Sequence, residues 1–152
     1  MAGQVAPQGL RIELLDWLQA ASRALPLRVA VFVDEQGVPA DIEHDEWDAR
    51  SVHALAADAA GNVLGTGRLL PDGHVGRLAV RHAARRRGIG SAILRELLAE
   101  AARRGLDGAL LHAQRDAIAF YAAHGFRVSG PEFLEAGIVH VPMSRAVRRP
   151  AV

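Results

Sequence analysis

The stretch Leu78–Ser91 reads L-A-V-R-H-A-A-R-R-R-G-I-G-S. A strand pattern ends at Val80, and Arg85, Arg86 and Arg87 then lead into Gly88-Ile89-Gly90, where a long helical pattern begins. Ile89, Ile93, Leu94, Leu97, Leu98 and Ala101 recur at helical spacing and give that helix one apolar face. Arg103 and Arg104 fall in its last turn, and Gly105 supplies the stop. Three cations beside a helix N-terminus oppose the macrodipole, which favours anions there by about 0.3–1 kcal/mol per charge. An arriving anion reverses that balance. Free backbone N–H groups, guanidinium groups and glycines that permit close approach all suit phosphate. The segment therefore reads as a pyrophosphate cradle at a strand-to-helix junction.

Three other readings compete for it. A Rossmann turn places its glycines directly after the strand and needs Gly or Ala at the third position, where this chain has Ile93. A Walker A loop needs Gly-Lys-Ser/Thr, and the chain has no lysine. A solvated arginine-rich loop explains the charge run. It does not explain the Arg-x-x-Gly-x-Gly spacing at a strand-to-helix junction.

Outward from this stretch the chain alternates helix and strand signals. Arg11–Leu15 suits a short first strand. Residues 17–35 read as helical in two pieces, with Pro26 best placed at a first turn, and Gly37 and Pro39 ending the run. Asp41–Asp48 (D-I-E-H-D-E-W-D) reads as a solvated acidic loop. Strand patterns at 52–58, 63–70 and 74–80, separated by Ala60-Gly61-Asn62 and Pro71-Asp72-Gly73, predict an antiparallel meander. After the long helix, 106–114 suits a buried strand and 116–124 a short helix closed by Gly125. Val128 and 138–143 suit closing strands around a 130–137 loop. The expected fold is α/β (α+β), a mixed, mostly antiparallel central sheet flanked by helices. It forms a single domain over residues 1–152, with its core at about 10–145 and frayed termini.

The composition bounds the function. The chain has 152 residues, 50% of them hydrophobic and 23% charged, which suits one globular domain. No cysteine is present, which excludes a disulfide framework, a thiolate nucleophile and a cysteine-ligated zinc site. All 18 basic residues are arginine, which removes lysine nucleophiles and Schiff bases. They face 17 acidic residues, and the chain has four Phe, two Trp and one Tyr. That balance argues against nucleic acid as a partner. The first ten residues lack a basic n-region, and no segment approaches the roughly 20 apolar residues of a membrane span. A cytoplasmic protein is expected.

Arg85-x-x-Gly88-x-Gly90 after Leu78-Ala79-Val80 resembles the acetyl-CoA signature of the GCN5-related N-acetyltransferases (GNAT). Residues 117–126, A-I-A-F-Y-A-A-H-G-F, resemble that family's second signature. Arg28-x-x-Val31-Phe32-Val33-x-Glu35-Gln36-Gly37-Val38-Pro39 resembles the ElaA-like subgroup. So does Glu132-Phe133-Leu134-Glu135-x-Gly137-Ile138-x-His140-x-x-Met143. Four signatures in the family's order cover about residues 10–145. The resemblance implies acetyl-CoA as co-substrate, without metal. It places the cofactor along Leu78, Ala79 and Val80 and in the loop Arg85, Arg86, Arg87, Gly88, Ile89, Gly90 and Ser91. The strand before this loop is often bulged in the family, and a backbone N–H there polarises the thioester carbonyl. Gln114 falls where many members carry an asparagine. Tyr121 takes the position of the general acid that protonates the CoA thiolate. The implied reaction is direct attack by a primary amine acceptor, with the acceptor itself left open. Members are often homodimers.

The base that takes the amine proton is open among Glu35, Glu46, Asp48, His112, Glu132 and His140, with Glu46, His112 and His140 as leading candidates. His112 reads as a core histidine or as a relay facing the same side as Gln114. His140 lies on a closing strand near the acceptor end. The carboxylates of the acidic loop could attract a cationic amine; metal-ligand spacing is absent there. Trp17 and Trp47 read as packing residues. Two further functions compete with catalysis. One is a catalytically silent CoA-binding sensor or scaffold with the same fold. The other is nucleic-acid contact through Arg81 and Arg85–Arg87.

Overall fold

The computed structural model describes residues 9–147. The expectations for the first eight residues and for Arg148–Val152 fall outside that range. Strand β1 (Arg11–Leu15) leads into helix α1 (Trp17–Arg28). Asp16 caps α1, its carboxylate accepting from the Gln19 N–H at 3.0 Å. Pro26 does not break the helix, contrary to the sequence reading. It sits inside α1, and a π-helical turn, Val29–Glu35, follows directly. The carbonyl that loses its partner to Pro26 belongs to exposed Ser22, where water can replace it.

The short helix α2 (Ala40–Glu43) and a single turn (Asp48–Arg50) precede the meander β2 (Val52–Ala57), β3 (Val63–Leu69) and β4 (Val75–Val80). These pair antiparallel in the order β1-β2-β3-β4. Helix α3 (Ile89–Arg103) crosses to β5 (Gly108–Gln114), followed by α4 (Ile118–Ala123), β6 (Arg127–Val128), β7 (Phe133–Glu135) and β8 (Ile138–Ala146). β8 pairs antiparallel with β5, β6 and β7. The expected 130–137 loop therefore contains a strand. A two-residue turn with Ala136 at φ 52° and Gly137 at φ 77° makes β7–β8 a tight hairpin.

The expected mixed sheet is present but divided. β4 and β5 touch through a single parallel bridge, His74 to Leu110, and a hydrogen bond from the Leu110 N–H to the Gly73 carbonyl at 3.1 Å. Beyond it the two strands form no ladder and leave a cleft open between their C-terminal ends. Alternation along β2 splits the core. Ala54 and Ala56 face the predicted apolar side of α3, and Leu55 meets Ala20 and Ala24 of α1. Gly65 and Gly67 let α3 approach β3 closely, since a Cβ on Gly65 would lie 2.8 Å from Ile93 Cδ1.

The acidic loop is not a solvated face. Glu43 and Asp48 are buried, at 3% and 1% exposure, against Arg28 of α1, itself at 1%. Arg28 holds Glu43 through Nε and Asp48 through Nη1 at 2.8 Å. Arg68 of β3 donates to Asp48 at 2.9 Å and to Asp45 at 2.7 Å. Arg77 of β4 reaches Asp45 at 3.1 Å and the Glu43 carbonyl at 2.9 Å. Arg68 Nε is a buried N–H without a hydrogen-bond partner among the described residues. Burial pushes the Asp48 carboxyl up, but the hydrogen bonds and charges of Arg28 and then Arg68 outweigh it and bring its pKa from 3.8 to about 2.

A carboxylate depressed on folding stabilises the native state above its unfolded pKa and loses that contribution as pH falls through the folded one. Asp48 therefore contributes about 2 kcal/mol that disappears between pH 4 and pH 2. Urea unfolding across that interval should show the loss in the wild type and a weaker slope in Asp48→Asn. At neutral pH the same variant should lose about 3–5 kcal/mol, because it strands buried guanidinium groups.

Candidate active site

The cleft between β4 and β5 opens into a cavity of about 650 Å³. Its walls come from β4 (Gly76, Arg77, Leu78), from β5 (His112, Gln114) and from α4 (Tyr121); the β7–β8 hairpin adds Glu135, Ala136, Ile138 and His140. Phe32, Gln36, Val38 and Trp47 line it on the side of α1 and the acidic loop, beside Asp45 and Arg68 of the charge cluster.

β4 is bulged where it meets the cleft. Thr66 pairs with Ala79 and Arg68 with Gly76, so Arg77 and Leu78 together oppose Gly67. Arg77 sits at φ 49°, an uncommon conformation for a side-chain-bearing residue. Its guanidinium is anchored in the charge cluster described above. The bulge takes two peptide units out of the ladder beside the cavity; the family resemblance implies a backbone N–H donor near Leu78–Val80, and the two stretches share Leu78. Leu78 lines the cavity, Ala79 is buried against Leu27 and Val31, and Val80 packs against the main core.

Past β4 the chain makes one turn, His82–Ala84, and reaches the arginine run. Arg86 and Gly88 both adopt positive φ, 66° and 79°. Gly88 starts α3 in the left-handed region, and no side chain caps the helix. The first-turn amides of α3 are thus left for an external acceptor. The side chains are less uniform than the motif suggests. Arg86 and Arg87 are exposed, whereas Arg85 donates to the Val80 carbonyl at 3.0 Å and to Glu35 at 2.9 Å. Ile89 is buried in the core. Ser91 is buried too, within 3.0 Å of His124 Nε2, so it is engaged inside the fold. Gly90 is free of close contacts, a Cβ there lying 3.5 Å from Phe120 Cζ. This loop lies beyond the cavity lining, at the C-terminal end of β4.

Tyr121 of α4 faces the cavity, its ring edge-on to Phe120 at 5.1 Å and to Phe126 at 5.9 Å. Its hydroxyl has no hydrogen-bond partner among the described residues. Burial pushes the phenol up to about 12, so it carries its proton throughout the physiological range. Gln114 ends β5 and donates to Gln36 at 2.9 Å. With the Glu35–Arg85 contact, this bond ties the segment after α1 to both arms of the cleft.

His112 is not a core residue. It stands on the cavity wall with Nδ1 3.0 Å from Glu135. Odd-numbered Ala109, Leu111 and Ala113 fill the core side of β5 and turn His112 outward. His140 is 8% exposed and lines the same wall. Glu46 is exposed and stands outside the lining, Asp48 belongs to the charge cluster, Glu35 holds Arg85, and Glu132 pairs with Arg115 at 2.7 Å. The carboxylates of Glu43, Asp45 and Asp48 are engaged by arginines, which leaves little free charge to draw in a cationic amine. Trp17 packs on His53 at 4.7 Å and under Arg28, as expected of a packing residue; Trp47 stacks on Arg50 but also lines the cavity. In the sequence Glu135 stands out only as part of the Glu132–Met143 motif. Its neighbour across the hairpin, Ile138, and the proximity of two histidines become visible only in three dimensions.

Among the described residues no group of three or more His, Cys, Asp or Glu is placed to hold a metal ion, and no helix is long and apolar enough to cross a membrane. The model of the acetyltransferase (GNAT) domain matches residues 17–147. The N-acetyltransferase YjcF of Bacillus subtilis (strain 168), an uncharacterized protein, is 41% identical over 126 residues, 80% of this chain and 89% of the relative. An acyl-CoA N-acyltransferase from Pseudomonas aeruginosa superposes with TM-score 0.79 at 32% identity, over 90% of this chain and 99% of that one. Escherichia coli ElaA superposes with TM-score 0.80 at 25% identity, again over 90% and 99%. The family model over residues 17–147, with relatives that match most of the chain, makes this protein a member of the GNAT acetyltransferase family and a transferase.

Proposed function

We propose that this protein moves the acetyl group of acetyl-CoA to a primary amine by direct attack, in the cleft between β4 and β5. The observation that carries this reading is the placement of three features along one cleft. They are the uncapped N-terminus of α3 at Gly88, the bulge at Arg77–Leu78, and Tyr121, which faces the cavity on the opposite arm. The pyrophosphate would lie against the α3 amides with Arg86 and Arg87 beside it, which supplies binding energy far from the reacting carbon.

The amine nitrogen forms a bond to the thioester carbonyl carbon, and charge develops on the carbonyl oxygen. Backbone N–H groups released by the bulge stabilise that charge. Collapse breaks the C–S bond, and the electron pair goes to sulfur. Tyr121 donates its phenolic hydrogen to the leaving sulfur and regains one from water, the nitrogen's proton passes to a base and on to solvent, and the products are the N-acetylated amine and CoA thiol. A phenol at about 12 is a weak acid for a thiolate of ordinary pKa near 8.5. A sulfur leaving into the same desolvated cleft is also made more basic, which narrows the difference.

Thermal unfolding with and without acetyl-CoA tests the donor. Acetyl-CoA at 100 times its Kd should stabilise the wild type by about 2.7 kcal/mol, a rise of about 5–10 °C. In Gly88→Glu that rise should vanish, while Gly88→Asn, which tolerates positive φ without adding charge, should keep part of it. No rise in the wild type would contradict acetyl-CoA as the donor. Tyr121→Phe should lower kcat by about 100-fold with acetyl-CoA affinity within about twofold. Equal kcat in that variant would take Tyr121 out of the mechanism. Tight CoA binding with no transfer across a broad amine panel would instead identify a silent CoA-binding module.

A further inference from the structure

The face of the second sheet that lines the cleft brings together three residues from three strands. Gln114 of β5 pairs with His140 of β8, Phe133 of β7 also pairs with His140, and Glu135 pairs with Ile138. His140 Nδ1 lies 2.8 Å from the Ile138 carbonyl oxygen. A carbonyl only accepts, so Nδ1 carries the hydrogen and the lone pair of the neutral ring is at Nε2. That Nε2 lies 3.8 Å from Glu135 Oε1. The separation is too long for a hydrogen bond and leaves the lone pair for a donor, or for a water between the two groups. The other carboxylate oxygen, Oε2, accepts from His112 Nδ1 at 3.0 Å. Phe133 lies edge-on to His112 at 4.9 Å and stacks on His140 at 6.0 Å, holding both rings.

The hairpin fixes the pairing. Ala136 at φ 52° and Gly137 at φ 77° turn β7 into β8, so that Glu135 lies directly across from Ile138, the residue whose carbonyl sets the His140 tautomer.

We propose that His140 Nε2 takes the proton from the acceptor amine, that Glu135 pairs with the imidazolium so formed, and that His112 holds Glu135 in place. The proposal rests on the reading of the cleft as the site of acyl transfer. As the nitrogen bonds to the carbonyl carbon, its N–H bond gives its electron pair to nitrogen and the proton passes to Nε2, directly or through one water. The imidazolium later returns the proton to solvent. A nearly buried imidazolium needs a counter-charge, and the ion pair with Glu135 exists only once the proton has arrived. His140 is thus the catalytic base; Glu135 and His112 are positioning residues. Other ionisable groups face the trio. His74 at the start of β4 meets His112 edge-on at 5.8 Å and is held by Asp72 at 2.9 Å. Asp116 and Arg77 line the cavity, and the Arg115–Glu132 pair sits beyond Gln114.

Two measurements test this on the full chain. Nitrogen–proton correlation spectra of the imidazole rings, without ligand, should show neutral His112 and His140 protonated at Nδ1 and bare at Nε2. An Nε2–H tautomer at His140 overturns the assignment. The second measurement is acetylation of benzylamine by acetyl-CoA, followed as thiol release. His140→Gln should lower kcat about 100-fold and Glu135→Gln about tenfold, with KM for acetyl-CoA within about twofold in both. The rise of kcat/KM with pH that a histidine base imposes on the wild type should disappear in His140→Gln. Glu135→Asp should recover part of the loss. Glu135 is exposed, so its variants carry the test even where His140→Gln does not fold. Wild-type kcat in either Gln variant, or a loss in Glu135→Gln confined to KM for acetyl-CoA, overturns the proposal. A wild type that binds acetyl-CoA yet releases no thiol with benzylamine contradicts the amine-acceptor reading instead, and the tautomers then decide the histidine assignment by themselves.

Discussion

Arg28 is a charge with almost no access to water, and the rest of the structure is arranged around satisfying it. Its guanidinium takes Glu43 and Asp48, which draws the acidic loop onto α1. Asp48 also accepts from Arg68, and Asp45 joins Arg68 to Arg77. One chain of ion pairs thereby runs from α1 through the loop and β3 to the bulge of β4. Compared with apolar packing, such a cluster adds little net stability, but each member is stranded if its partner leaves. It therefore acts mainly as a constraint. The constraint anchors the side chain of Arg77, which sits at positive φ within the bulge beside the cleft.

The cleft follows from a second constraint. Among the described residues, His74, just before β4, and Leu110 of β5 make the one bridge between these strands, and α3 packs on one side of the sheet. Each strand's far end carries its own chemistry. β4 runs into the arginine loop and the uncapped start of α3, a place for anionic charge. β5 runs into α4 and Tyr121, a desolvated hydrogen-bond donor. The β7–β8 hairpin closes the remaining side with His140 and Glu135, which face His112 of β5. In the function proposed above, this arrangement separates the groups that would hold the donor from those that would move protons.

The parts legible in the sequence were those governed by local rules. The apolar spacing from Ile89 to Ala101, the Pro71-Asp72-Gly73 turn and the glycines around α3 each follow from backbone geometry, and the elements fall where these predict. The GNAT signatures were equally legible, being short and contiguous. What escaped depended on partners distant in the chain. Asp41–Asp48 looked solvated because nothing local reveals that Arg28 and Arg68 will bury its carboxylates. Pro26 looked like a break because the sequence does not show that Ser22 faces water. The 130–137 segment looked like a loop because β7 has only three residues and gains its partner from the following strand. Glu135 drew no notice for the same reason: its meaning comes from His112 and His140, which lie on other strands.

The central claim is that the acyl donor lies in the cleft between β4 and β5, from the start of α3 to the bulge. Titration of acetyl-CoA into the isotopically labelled protein, followed by backbone amide shifts, tests it most directly. The account predicts the largest shifts at residues 77–80 and 86–91, smaller ones at Gln114 and Tyr121, and almost none along β1. Saturable binding with shifts confined to other elements, or no shifts at millimolar acetyl-CoA, would contradict it.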